Sequence, residues 1–537
     1  MERRKFLLSS LIGGAAVSVP FINACKPAPP KETSQVTSYE SDLDEVTITQ
    51  MQEWLKSGKY TSESIVNTYL ERIQNIDKSG PALNSIIEIN PDAAAIARKL
   101  DEERKSGKVR GPLHGIPIVI KDNIDTSDKM ATTAGSLALA KNTAQNDAFI
   151  VKQLREAGAI ILAKTNLSEW ANFRSNRSSS GWSGRGGQTR NPYMINRNPC
   201  GSSSGTGVAV SANLCVAGIG TETDGSVVCP SSTNGLVGIK PTVGLCSRSG
   251  IIPISQSQDT AGPMARTVTD AAILLGILTG TDNNDPATIE SEGKVFADYT
   301  KYLVNEGLKG VRIGVSRNFF GFHEKVDALM EKAIAELKEL GANVIDPANI
   351  EFVKECGEAE FQVLLYEFKD GVNKYFAGMK PEVGVKTLED LINFNNDHAD
   401  EELRYFGQET LIEANKKGPL TDAKYLQALA STRKYSRELG IDSTMRRRSL
   451  DIIIAPTGGP AWVTDLINGD RYLGGSSTPA ACSGYPNITV PAGFIEGLPV
   501  GISFIGKAWS EPLLLKVAYS YEQATKHRKT PGFAAGF

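Results

Sequence analysis

Residues 200–241 read CGSSSGTGVAVSANLCVAGIGTETDGSVVCPSSTNGLVGIKP, and we expect the rest of the chain to hold this stretch in place. It is crowded with glycine and serine, a composition typical of backbone that closely approaches another group. Two serine sites, residues 202–204 and Ser226, flank the small apolar run 208–220. The run predicts a buried helix or strand under two loops. The glycines predict uncovered N–H groups that could line an oxyanion hole.

Apolar strands and helices alternate around this stretch. Residues 113–120 predict a strand that carries Lys121 at its tip, and residues 159–163 predict a buried strand that ends at Lys164. The alternation continues with a helix at 151–157, strands at 311–315 and 451–455, a helix at 325–340, a charged helical periphery at 360–450 and closing strands at 485–493 and 497–505. We predict an α/β fold, a single large domain with a central mixed β-sheet covered by helices on both faces.

The N-terminal residues 1–25 read MERRKFLLSSLIGGAAVSVPFINAC and predict an export signal. The arginine pair resembles a twin-arginine signal, and residues 22–25 resemble a lipobox in which Cys25 becomes an acylated N-terminus. An ordinary cleaved signal peptide is the alternative. Residues 26–41 are rich in Pro, Ser and Thr and predict a disordered tether. The expected location is periplasmic or lipid-anchored at Cys25, and residues 42–537 form the expected domain.

Composition narrows the classes of partner and cofactor. The 537 residues carry a net charge of −3, which gives no indication of a nucleic-acid partner. The four histidines form no spaced ligand pair, and no GxxxxGK[ST] loop occurs, so we predict neither a metal nor another cofactor. We expect buried thiols rather than disulfide bridges at the six cysteines other than Cys25, although an exported protein can contain a bridge. These cysteines are Cys200, Cys215, Cys229, Cys246, Cys356 and Cys482.

A GxSxG motif at residues 201–205 offers one candidate chemistry. It would make Ser203 the nucleophile of an α/β-hydrolase-type esterase, with His527 in the required chain order. Such an elbow follows a strand directly, whereas residues 191–199 are polar and contain two prolines. The esterase is therefore kept as an alternative.

A serine hydrolase without histidine needs another base, and lysine is the available residue type. Lys121, Lys164 and Lys240 each follow an apolar run. Burial would have to lower the amine pKa by several units from about 10.4 before lysine could accept a proton. Spacing alone does not choose among the three.

Seven motifs together resemble the amidase signature family over nearly all of the chain after residue 42. In order they are GIPIVIKDNI, GAIILAKTNLSEW, PCGSSSG, GTETDGS, GLVGIKPTVG, SQDTAGPMARTVTDA and GLPVGISFIG. The chain looks most like the bacterial peptide amidases, which remove the C-terminal amide of peptides. The resemblance implies a serine hydrolase that cleaves carboxamide bonds of small-molecule or peptide substrates.

The resemblance also implies the site residues. Ser226 would be the nucleophile, Ser202 the bridging serine after a cis peptide at Gly201, and Lys121 the general base. The implied oxyanion hole consists of the backbone N–H groups of Thr223, Asp224, Gly225 and Ser226. An anchored binding lipoprotein with an inactive amidase fold is the second hypothesis.

Some residues near the motifs have open roles. Much of the family has TDTGGS where this chain has TETDGS, so Asp224 adds a carboxylate that could orient substrate or cap local N–H groups. Ser203 could bond Lys121 or the nucleophile loop, or act as a plain turn residue. Trp170, Phe173 and Trp182 could grip an apolar substrate or belong to the core.

Overall fold

The computed structural model describes residues 39–536 of the chain. The predicted export signal with Cys25 lies outside the described residues, as does most of the predicted tether. Residues 39–41, its last three, have no regular secondary structure. No helix in residues 39–536 is long and apolar enough to cross a membrane.

A mixed sheet of eleven strands forms the centre of the described chain. Its strands are β1 Ile86–Ile89, β2 Pro117–Lys121, β3 Ile160–Thr165, β6 Ala217–Glu222, β7 Val237–Lys240, β8 Thr260–Ala265, β9 Arg312–Val315, β10 Asn343–Ile345, β11 Ile452–Pro456, β12 Asn487–Ile495 and β13 Leu498–Ile505; a separate pair comprises β4 Trp182–Ser183 and β5 Gly187–Gln188.

The sheet order is β1-β3-β2-β6-β8-β7-β12-β13-β11-β9-β10. Strands β3, β2 and β6 run parallel, as do β11, β9 and β10, while the strands between β6 and β11 pair antiparallel. The central strands are buried along their whole length, which fits a sheet covered by helices. The predicted α/β fold with a mixed sheet is confirmed.

Sixteen α-helices surround the sheet within residues 39–536. They are α1 Ile48–Ser57, α2 Ser62–Arg72, α3 Ala93–Lys105, α4 Phe149–Glu156, α5 Ser204–Ser211, α6 Val228–Thr233, α7 Val268–Leu278, α8 Glu324–Glu339, α9 Val353–Ala377, α10 Leu388–Asp397, α11 Ala399–Glu402, α12 Glu409–Asn415, α13 Ala423–Arg433, α14 Asp442–Arg448, α15 Thr478–Ser483 and α16 Glu511–Thr525. The helical segment expected at 360–450 corresponds to α9–α14.

Three predicted elements differ in their bounds. The strand expected at 113–120 begins only at Pro117, because residues 112–115 form a turn. Lys164 lies inside β3 rather than at its tip, since pairing continues to Thr165. The run 208–220 is neither one helix nor one strand. It contains the end of α5, a turn and most of β6.

The sheet brings two distant parts of the chain to one edge. β2 and β6 are parallel neighbours, with Val119 opposite Gly218 and Ile120 opposite Ile219. Carboxyl ends of parallel neighbours meet at the same edge of a sheet. Lys121 ends β2 and Glu222 ends β6, so the lysine lies beside the loop that contains Ser226.

Candidate active site

Lys121 is fully buried and donates three hydrogen bonds at the end of β2. Its Nζ lies 2.7 Å from Ser202 Oγ, 2.9 Å from Thr221 Oγ1 and 3.2 Å from the Thr221 carbonyl oxygen. Burial lowers the pKa of this amine to about 7, although the carboxylates of Asp259 and Glu222 partly oppose the shift. The amine therefore exchanges its proton near neutral pH while in contact with a serine hydroxyl.

The structure separates the three candidate lysines by their partners. Lys164 donates to the Ile124 carbonyl oxygen and the Thr132 hydroxyl, and Lys240 donates to the Pro241 carbonyl oxygen. Burial lowers the pKa of both amines, that of Lys240 to about 8. Lys121 alone among the three bonds a serine. A low pKa without a reactive partner does not make a lysine a base.

The two serine segments lie side by side. The peptide between Gly201 and Ser202 is cis, as the family resemblance implied. Ser203 donates its N–H to the Ser226 carbonyl oxygen at 3.1 Å, and its hydroxyl donates to the Thr221 carbonyl oxygen at 3.1 Å. Ser203 therefore contacts the loop that contains Ser226 rather than Lys121.

The loop after β6 turns sharply and leaves its N–H groups uncovered. Gly225 has φ +79°, a left-handed conformation that favours glycine. Glu222 accepts the N–H groups of Val227 and Val228 at 2.8 and 3.0 Å, which holds the far end of the turn. The N–H groups of residues 223–226 find no acceptor in the part of the chain that the structure describes. Four adjacent free donors form a suitable site for an oxyanion.

A disulfide joins the two serine segments. Cys200 directly precedes the cis dipeptide, Cys229 lies in α6 after Ser226, and the two are bonded across a separation of 29 residues. The expectation of a free thiol is wrong at these two positions, because the fold brings their Cα atoms within 6.1 Å. The other described cysteines, Cys215, Cys246, Cys356 and Cys482, are free and buried as expected.

Removing this bridge is expected to destabilise the protein. The double variant Cys200→Ser/Cys229→Ser should lower the free energy of unfolding by roughly 3–4 kcal/mol, since the bridge closes a loop of 29 residues. Urea unfolding measures the change. Reductant should shift the wild-type curve towards that of the variant and leave the variant curve unchanged. Identical curves for the oxidised wild type and the variant would contradict the expectation.

A cavity of about 400 Å³ opens beside Gly201 and Gly225. Its wall combines polar side chains with aromatic rings and includes Asn172, Ser175, Asn176, Ser178, Ser180, Asp224, Trp462, Asp470, Tyr472, Gly475, Ser477 and Thr478. Asp470 accepts the Ser180 N–H at 2.8 Å and the Trp462 indole N–H at 3.1 Å. This carboxylate therefore holds the wall together.

Asp224 places one carboxylate oxygen in this wall without a partner. Its Oδ2 accepts the Thr478 hydroxyl at 2.7 Å, whereas its Oδ1 is buried and has no hydrogen bond. Burial raises the pKa of this carboxyl. The carboxylate does not cap N–H groups of its own loop, one of the two roles considered from the sequence.

Trp170, Phe173 and Trp182 belong to the core, which is one of the two roles left open by the sequence. Trp170 packs edge-on against Phe368 and Phe376, and Phe173 packs against Phe368. Trp182 packs edge-on against Tyr405 and Phe406. The aromatic residues that do line the cavity come from the segment 462–472, which the sequence analysis did not single out.

The chain matches known amidases over most of its length. The Amidase family model matches residues 64–515. The chain is 48% identical to the native peptide amidase of Stenotrophomonas maltophilia, covering 92% of this chain and 99% of that one with a TM-score of 0.87. It is 49% identical to a peptide amidase solved with the competitive inhibitor chymostatin, covering 91% and 99% with a TM-score of 0.89. It is 41% identical to a probable amidase of Arabidopsis thaliana, covering 92% of each chain.

The chain belongs to the amidase signature family. It is therefore an enzyme that acts on amides, and the expected likeness to bacterial peptide amidases is confirmed. Within residues 39–536, no His, Cys, Asp and Glu side chains cluster as metal ligands.

The arrangement of Ser203 and His527 in the structure gives no support to the esterase alternative. His527 Nε2 lies 3.1 Å from Glu336 Oε2. The Ser203 hydroxyl donates to the Thr221 carbonyl oxygen and accepts the Thr221 N–H. Residues 191–199 form no strand that could deliver an elbow. The serine–histidine contact that this mechanism needs is not formed.

Proposed function

We propose that this amidase removes the C-terminal amide of peptides, with Ser226 as nucleophile, Ser202 as bridging hydroxyl and Lys121 as base. The observation that carries the proposal is the 2.7 Å contact between Nζ of the buried Lys121 and Oγ of Ser202. An amine whose pKa is near 7 can accept a proton at neutral pH, as a general base must.

The proposed reaction begins with two proton transfers. Neutral Lys121 accepts the hydroxyl proton of Ser202, which accepts that of Ser226, and Ser226 Oγ bonds to the amide carbon. The carbonyl π pair moves to oxygen and forms the oxyanion. As that pair returns, the C–N bond breaks, and the nitrogen takes the proton back and leaves as ammonia. Water then gives a proton to Lys121 along the same path and attacks the acyl carbon; the bond to Ser226 Oγ breaks, Ser226 Oγ takes that proton back, and the peptide acid leaves.

The proposed oxyanion hole is the run of N–H groups from Thr223 to Ser226. Their lack of other acceptors leaves them available to the oxygen as charge develops on it. A single donor of this kind typically stabilises a transition state by about 2.7–4 kcal/mol. Because the donors belong to a turn held by the buried Glu222, little reorganisation is needed during the reaction.

Peptide amides are the favoured substrates for two reasons. The solved structures at 48–49% identity are of peptide amidases, one with the competitive inhibitor chymostatin bound. The cavity of about 400 Å³ also has hydroxyl and amide groups in its wall that could bind a peptide backbone. The predicted export signal favours a substrate that is met outside the cytoplasm.

The test measures ammonia release from N-blocked dipeptide amides, with the product identified by mass as the peptide acid. We expect turnover of these amides and lower kcat/KM for free amino-acid amides, which fill less of the cavity. Simple aliphatic amides serve as the size control. Absence of ammonia from every amide would contradict the proposal and favour the alternative of a binding lipoprotein with an inactive fold.

A further inference from the structure

Gln258 connects the peripheral helix α9 to the turn that contains the proposed oxyanion hole. It lies just before β8, whose residue Thr260 pairs with Glu222 at the end of β6. Its Nε2 lies 3.3 Å from the Thr223 carbonyl oxygen and 2.7 Å from Glu360 Oε1. Gln258 is only 1% exposed, so water does not compete for these bonds.

The bond to Thr223 bears on the neighbouring N–H group. A trans peptide unit is planar, and its C=O and N–H groups point in opposite directions. Holding the Thr223 carbonyl oxygen on one side therefore directs the Asp224 N–H to the other side. That N–H has no acceptor among the described residues and belongs to the proposed oxyanion hole.

The side chain of Thr223 is held as well. Its hydroxyl donates to Asp259 Oδ1 at 2.5 Å, and Asp259 Oδ2 accepts the N–H groups of Ile254 and Ser255 at 2.8 and 2.9 Å. This second contact holds the residue in place, but it does not fix the rotation of the peptide that follows. The contact between Gln258 and the Thr223 carbonyl oxygen fixes that rotation.

Glu360 determines which end of the Gln258 amide faces Thr223. A carbonyl or carboxylate oxygen accepts hydrogen bonds and does not donate them, so Glu360 Oε1 requires the NH₂ end of the amide. The NH₂ group then has its second hydrogen left for Thr223. Burial raises the pKa of Glu360 well above its usual range, but the protonated acid keeps a carbonyl oxygen that can accept.

We propose that Gln258, oriented by Glu360 of α9, is a positioning residue that aims the Asp224 N–H at the oxyanion of the transition state. This inference rests on the proposed function, because it assumes attack by Ser226 next to this turn. It gives the peripheral helix a part in catalysis although α9 carries no residue of the proposed triad.

The test replaces Gln258 by leucine, which keeps a similar volume and removes the donor. Because the oxyanion forms only after attack on the bound amide and is absent from the substrate complex, kcat for a peptide amide should fall by about 10–100-fold while KM changes less than about twofold. The affinity for a peptide trifluoromethyl ketone, which forms a tetrahedral adduct with the nucleophile, should fall by the same factor as kcat/KM. A merely structural role would not produce this parallel loss.

Variants of Glu360 provide the matched control. Glu360→Gln keeps a carbonyl acceptor and should retain kcat within about threefold, whereas Glu360→Leu should lose kcat as Gln258→Leu does. The double variant Gln258→Leu/Glu360→Leu should be no worse than Gln258→Leu, because residues that act as one unit are not additive. Gln258→Glu, close to isosteric, should lose kcat as well and covers the case in which leucine prevents folding.

Three outcomes would overturn the inference: unchanged kcat in Gln258→Leu and Gln258→Glu, a loss confined to KM, or additive losses in the double variant. Fluorophosphonate labelling separates this result from failure of the proposed function. If Ser226 is labelled and required but Gln258 has no effect on kcat, the positioning role alone is wrong. If Ser226 is not the labelled residue, the proposed function itself fails.

Discussion

Ser226→Ala is expected to reduce peptide-amide hydrolysis by roughly 10⁶-fold, the scale on which a serine hydrolase loses activity without its nucleophile. No neighbouring serine is placed to replace Ser226 in the attack, since Ser202 bonds to Lys121 and Ser203 bonds to the Thr221 backbone. The variant should also lose labelling by a fluorophosphonate, detected as the absence of a mass shift on the peptide that contains residue 226.

Ser203→Ala supplies the control for this experiment. Its hydroxyl bonds the Thr221 backbone and does not attack substrate in the proposed mechanism, so labelling at Ser226 should persist. Labelling that survives in Ser226→Ala and disappears in Ser203→Ala would assign the nucleophile to the GxSxG motif instead.

Lys121→Met is expected to lower kcat/KM by about 10²–10⁴-fold, the usual contribution of a general base. In the wild type, kcat/KM should rise with pH through about 7 and then level off. The sign follows from the chemistry: only the neutral amine accepts a proton, and burial lowers the pKa of Lys121 to about 7, so the base is ready above that pH. Rate measurements between pH 5 and pH 9 test both statements.

His527→Ala is the control for the pH profile. This imidazole lies against the Glu336 carboxylate and contacts no serine, so the variant should keep both the activity and the rise near pH 7. If the rise disappears in His527→Ala and remains in Lys121→Met, the base is not the lysine.

The sequence predicts the parts of this site that depend on local pattern. The run Pro117–Ile120 is apolar and β-branched, so a strand ending at Lys121 follows from its composition alone. Gly225 has a positive φ in a sharp turn, a backbone conformation that the glycine itself indicates. The choice of Lys121 over Lys240 does not follow locally, because it depends on which strand ends become neighbours.

Features that join distant segments were not predictable in the same way. The bridge between Cys200 and Cys229 requires two loops to approach each other, and their spacing in the chain contains no sign of that approach. The cavity wall around Trp462 and Tyr472 comes from an irregular loop that has neither helical nor strand periodicity. Gln258 looks like one polar residue among several, and its role depends on a partner 102 positions away.

The cavity wall is built from two stretches of chain, and only one of them also contains proposed reacting groups. The proposed reacting groups lie within residues 121–226, and part of the wall lies within residues 172–229, whereas the rest of the wall lies within residues 462–478 and contains no reacting group. Substrate preference could therefore diversify by mutation of the later stretch while the earlier stretch stays unchanged. For the protein engineer, residues 462–478 are the segment to randomise when a new amide is the target.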